Sequence, residues 1–130
     1  MAGGRWNHRG TALVYVADSL ALAALEAFVH LQRAAAKIPH VSFRVEIPDD
    51  VITGITLHGL PRNWRAEPPP DATKRIGTDW VAAATSAVLR VPSVLVPTES
   101  NFLLNPAHPG FERLVISPPV TFSFDPRMWK

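Results

Sequence analysis

No cysteine occurs among the 130 residues, which excludes a disulfide framework and thiolate catalysis. There is no secretory signal, and no apolar run reaches the roughly 20 residues of a membrane span. The chain is therefore expected to be cytoplasmic, with no membrane contact. Aromatic residues make up only 8%, and the basic residues are spread along the chain with few aromatics between them. With a formal charge of only +2, direct nucleic-acid binding is not expected. Several familiar sites are also missing: a G-x-G-x-x-G opening a helix, a Walker phosphate loop, H-E-x-x-H and a G-x-S-x-G elbow. The enzymes built on those motifs are set aside, and no internal repeat points to a solenoid.

Proline, by contrast, is abundant. Nine of the thirteen prolines cluster at 67–70, 91–97, 106–109 and 118–119 and fragment the second half into short strands and fixed loops. A hydrophobic fraction of 47% over this length gives one domain with a real core, spanning residues 1–130.

The stretch Ser19 to Lys37 predicts a helix, since it is rich in Ala and Leu, lacks Pro and Gly, and begins with Ser19 as N-cap. Leu22, Leu25 and Val29 share a face with Glu26, while Leu20, Ala24, Ala27 and Leu31 cover the opposite face. Two apolar faces imply a central helix, in which the lone carboxylate of Glu26 is either solvated at a cleft or held by a cation, because unpaired burial costs several kcal/mol.

Around this helix, Thr11 to Ala17 reads as a strand carrying Tyr15, and strand followed by helix brings Arg5, Tyr15 and Glu26 within reach of one another. The alternating HVSFRVEIP at 40–48 predicts a half-buried strand, and 51–57 a further one interrupted at Gly54. Residues 60–70 form a loop anchored by Trp64. Residues 71–84 suggest one broken helix or two short ones, with Asp71, Ala72, Thr73, Thr78 and Asp79 as capping residues and Trp80 packed inward. Two strand pieces kinked at Pro92–Ser93 follow (86–91 and 94–97), then a loop over 101–113 with a helical turn from Pro106, then a closing strand at 120–124. The pattern β-α-β-β-α-β-β gives an α+β fold.

Each polar candidate also has a purely structural reading. Glu26 is compatible with a salt bridge to a core-facing arginine, Arg5 with a solvated terminus, Tyr15 with a core ring whose hydroxyl reaches the edge, and Ser93 with a turn. Glu26 and His30 lie four residues apart on one helix, and two such ligands are too few to predict a metal.

Taken together, the segments resemble the RES domain family, a toxin class named for arginine, glutamate and serine. Gly3-Gly4-Arg5-Trp6-Asn7 is similar to its G-G-R-W-N segment, and Val14-Tyr15 with 22–30 (LAALEAFVH) resembles its tyrosine strand and glutamate helix. Leu60-Pro61 with Asn63-Trp64 resembles its L-P-x-x-W loop, and 89–97, 101–109 and 122–127 resemble its C-terminal half in the same order. Members usually carry a further stretch before G-G-R-W-N, so the domain is expected to lack a short N-terminal leader.

The resemblance implies an ADP-ribosyltransferase-like fold with mixed sheets and few helices. It also implies NAD+ as substrate without a metal, and cleavage of the nicotinamide–ribose bond by hydrolysis or phosphorolysis. Glu26, Arg5, Tyr15 and Ser93 are the implied catalytic residues, with Ser86 a rival to Ser93. Arg5, Trp6, Asn7, Tyr15, Ser93 and Asn101 are the implied NAD+ contacts. The implied partner is an antitoxin of helix-turn-helix type, within a type II toxin–antitoxin system, and a homo-oligomer remains open. Two other classes also stay open: an impaired NAD- or antitoxin-binding module, and an ADP-ribosyltransferase acting on a macromolecule.

Overall fold

The computed structural model describes residues 3–129. Its centre is a four-stranded sheet in the order β1-β6-β5-β4, made from Val14–Ala17 (β1), Ser100–Leu104 (β6), Val88–Pro92 (β5) and Ile52–Gly54 (β4). The pairs β1–β6 and β6–β5 are antiparallel, whereas β5–β4 is parallel. Two two-stranded ribbons flank it: β2 (His40–Ser42) with β8 (Val120–Phe122), and β3 (Val45–Glu46) with β7 (Val115–Ile116). With helices α1 (Leu20–His30), α2 (Arg33–Ala36) and α3 (Asp71–Ala83), this is an α+β fold.

The sheet is buried on both faces at its centre, because successive side chains of β5 and β6 alternate between two apolar clusters. Leu89, Val91 and Leu103 pack on one side with Trp6, Trp64 and Trp80. Val88 and Leu104 pack on the other with Val51, Ala87 and Leu114. The inward placement of Trp64 and Trp80 follows the sequence reading, and the Trp80 indole N–H donates to Ser86 Oγ at 2.9 Å.

α1 begins as its sequence predicts, with Ser19 Oγ accepting from the Leu22 backbone N–H at 3.1 Å. It ends earlier than expected. Leu31 turns extended, and a separate short helix, α2, follows and buries Ala36. No proline or glycine marks this break, so packing overrides helix propensity. α1 is also not central: only Leu22 is buried, and Leu20, Leu25 and Val29 remain exposed. It lies against β1 at the edge of the sheet and packs Phe28 on Phe124 with ring centroids 5.5 Å apart.

The strand expected over 40–48 is two strands with different partners. The opposing segment contains Pro118–Pro119, which supply no N–H to a ladder, and the Ser117 hydroxyl accepts from Arg44 N there instead. α3 is one unbroken helix. Pro70 is its N-cap, and none of the five expected capping residues fills that position: the Thr73 hydroxyl donates to Pro70 O, and Thr78 Oγ1 accepts from His8 N. Gly77 allows α3 to lie directly on the Trp6 backbone, since any Cβ there would overlap the Trp6 carbonyl. Residues 94–97 form a turn rather than a strand. Ser93 Oγ accepts from Val96 N at 3.2 Å, and Ser93 N donates to Glu99 O at 2.9 Å, reversing the chain into β6. All but the first residue of β6 lies in the segment expected as a loop, and the helical turn expected at Pro106 sits at Pro109–Arg113.

Candidate active site

A cleft of about 700 Å³ opens between α1, β1, the 3–6 turn and the 67–69 segment, within the range of small-molecule sites. Arg5, Trp6, Tyr15, Glu26 and Asn101 line it, with apolar surface from Ala27, Val94 and Leu95.

Glu26 projects from α1 toward the end of the sheet. Its Oε2 accepts from Ser93 Oγ at 2.9 Å, and its Oε1 accepts from Asn101 Nδ2 at 2.7 Å. Among the described residues, the cationic partner considered from sequence is not found on Glu26; two neutral donors hold the carboxylate in place. Ser93 is wholly buried at the end of β5, and Asn101 stands in β6 beside it, so the antiparallel β5–β6 pair sets both donors. Ser86, the rival serine, lies in the core, bonded to Thr53, Trp80 and the Val88 carbonyl.

Tyr15 is held from the other side. Its hydroxyl donates to Asn7 Oδ1, which also accepts from Gly4 N at 3.0 Å, while Asn7 Nδ2 donates to Thr11 O at 2.9 Å. Gly4 is required for this approach, because a Cβ would come within 2.9 Å of the Tyr15 hydroxyl. Burial of that hydroxyl end pushes the Tyr15 pKa up to about 12, so the phenol stays un-ionised near neutral pH and is no general base. Asn7 is 2% exposed and its side chain is engaged within the protein, so it reaches the cleft through Tyr15 and Gly4.

Arg5 stretches along the rim. Its NH1 donates to the carbonyls of Trp64 (2.8 Å) and Ala66 (2.7 Å), and its NH2 to the Glu67 carboxylate (2.9 Å). The neighbouring His8 ties the 3–8 turn to α3 through Thr78 and Asp71. Hydrogen bonds from His8 and then Arg75 hold the Asp71 carboxyl below its usual range. Glu67 escaped the sequence reading, although a lone carboxylate preceding three prolines and next to the L-P-x-x-W loop was the available signal. Among the described residues, no group of three His, Asp or Glu side chains converges as metal ligands, and no helix is long and apolar enough to cross a membrane.

Fold and site define a small α+β protein with a carboxylate-centred cleft, in which Arg5, Tyr15 and Glu26 face a common space. The chain belongs to the RES domain family, whose model matches residues 1–125. It is 46% identical over 127 residues to Toxin Res of Yersinia enterocolitica, covering 97% of this chain and 84% of that protein. It is 40% identical over 131 residues to the Prs ADP-ribosylating toxin of a Sphingobium species, covering 98% and 81%. Toxin Res of Photorhabdus laumondii is 36% identical over 113 residues, covering 87% and 72%.

Proposed function

We propose that the chain is a toxin that breaks the nicotinamide–ribose bond of NAD+, with Glu26 as the group beside the reacting carbon. The observation that carries this reading is the Glu26 carboxylate, oriented by Ser93 and Asn101 on the wall of a cleft that Arg5 and Tyr15 also line. In the reaction the C1′–N bond breaks and its electron pair leaves with nicotinamide, which departs neutral. The ribose becomes oxocarbenium-like, and a fixed carboxylate stabilises that charge. Water or phosphate then bonds to C1′, and in hydrolysis the proton lost from water passes to Glu26 and on to solvent.

Tyr15 offers its ring to nicotinamide while Asn7 holds its hydroxyl, and Arg5 is the cation for the pyrophosphate. Ser93 acts through Glu26 as a positioning residue, and Asn101 shares that role. The purified protein, given NAD+ with and without phosphate, is expected to release nicotinamide, and the ribosyl product separates hydrolysis from phosphorolysis. Glu26→Ala is expected to lower turnover by at least about 100-fold, the scale for removing one preorganised charge-stabilising group, while leaving the thermal midpoint nearly unchanged. Absence of nicotinamide release from the wild type overturns the reading. A large loss of stability in Glu26→Ala would instead make the carboxylate a structural group.

A second reading is favoured by the name of the Sphingobium relative: the same bond cleavage, with the ADP-ribose transferred to a macromolecule. Incubation with adenylate-labelled NAD+ decides between them, through label on a macromolecule or label in small products. As a toxin, the chain has a helix-turn-helix antitoxin as its expected partner. Exposed Val29 and Leu95 at the cleft give such a partner an apolar rim to cover. Co-purification with the product of an adjacent gene, accompanied by loss of nicotinamide release, is the corresponding test.

A further inference from the structure

Among the described residues that line the cleft, Arg5 is the single arginine or lysine. An anionic ligand entering the cleft therefore depends on it, yet one of its N–H groups already meets a carboxylate, that of Glu67 at 2.9 Å. The three acceptors on Arg5 are not equivalent. The Trp64 and Ala66 carbonyls belong to a backbone pinned by the Trp64 indole, which is buried in the core 6.4 Å from the Trp6 ring. Glu67 is a side chain 76% exposed, against 12% for Arg5, and only it can leave without disturbing the core. Three of the five guanidinium N–H groups are engaged, and removing Glu67 frees a third donor beside the two already unengaged. That set suits two oxygens of a phosphate, which present to an arginine fork the same oxyanion geometry as a carboxylate.

We propose that Glu67 is a built-in competitor for the phosphate groups of the substrate, so that its exchange for pyrophosphate at Arg5 sets the affinity of the cleft for phosphate-bearing nucleotides. This rests on NAD+ being the substrate, but the exchange can be read without turnover. Because exposed ion pairs are weak, the effect is modest, about two- to fivefold.

Glu67→Gln keeps the shape of the side chain and removes its charge at an exposed position. The KM for NAD+ is expected to fall about two- to fivefold in this variant, while the KM for nicotinamide riboside, which has the same scissile bond and no phosphate, stays unchanged. An unchanged or raised KM for NAD+ overturns the proposal, as does an equal fall for both substrates. Calorimetry with inorganic pyrophosphate provides the second measurement. Tighter binding to Glu67→Gln than to the wild type supports the exchange even where no nicotinamide is released, a result that would sink the NAD+ reading alone. Equal or weaker binding overturns the exchange even where NAD+ is cleaved.

Discussion

At the scale of single residues, the site is organised by neutral hydrogen bonds around one charge. The Ser93 hydroxyl and the Asn101 amide fix Glu26 without neutralising it, an arrangement that suits its proposed role of answering a transient positive charge. Tyr15 is fixed in the same manner by Asn7, and its raised pKa has a consequence for stability. Below pH 10 both the folded and unfolded chains keep the phenol protonated. Between 10 and about 12 the unfolded chain ionises while the native chain does not, so stability is full below this window and is lost as pH rises through it. A two-unit shift corresponds to about 2.7 kcal/mol, but the residue is 42% exposed and solvent screening reduces the expected contribution to about 1 kcal/mol. Denaturant titrations at pH 9 and pH 11.5 are expected to show a smaller alkaline loss in Tyr15→Phe than in wild type. An identical loss would mean that the hydroxyl is not buried.

Among the elements, α3 shows most directly how a secondary-structure rule yields to packing. Gly77 sits in the middle of the helix, where alanine would be favoured by up to about 1 kcal/mol. The Trp6 carbonyl occupies the place of the missing Cβ, so Gly77→Ala forces α3 away from the 3–8 turn, at about 3 kcal/mol or more on the scale of overpacked cores. The steric term wins, and the variant is expected to melt well below the wild type. Because the same turn carries Arg5 and Asn7, loosening it is also expected to reduce ligand binding; a higher melting temperature would refute this account of Gly77. α1 teaches the converse. Ser19, the run of good helix formers and the isolated Glu26 were all legible in sequence, but the break at Leu31 was not, since nothing in local propensity opposes continuation. The split at β2 and β3 had a visible cause in Pro118–Pro119. Those prolines lie more than seventy residues away, so only knowledge of the pairing gives them meaning.

Over the whole molecule, stability is concentrated where β5 and β6 meet, with apolar clusters on both faces, and it thins toward the two-stranded ribbons. Val41, Val115 and Val120 on those ribbons are more than half exposed. Amide hydrogen exchange is expected to be slowest in β5 and the central residues of β6, and faster by orders of magnitude in β2–β8 and β3–β7; uniform protection would contradict this ordering. The ordered motifs from G-G-R-W-N to the C-terminal half were sufficient for the family, and composition with strand and helix periodicity was sufficient for the α+β class. Local pattern therefore marked the candidate residues Arg5, Tyr15, Glu26 and Ser93 and the starts of β1 and α1, because capping, apolar spacing and glycine placement are short-range properties. Tertiary structure alone decided that β6 lies at the centre of the sheet, that Ser93 rather than Ser86 touches Glu26, and that Glu67 sits on Arg5. Each of these rests on a meeting of residues about sixty or more apart, β1 with β6, Ser93 with Glu26 and Glu67 with Arg5, and is fixed by strand register and by the packing of a loop around buried Trp64.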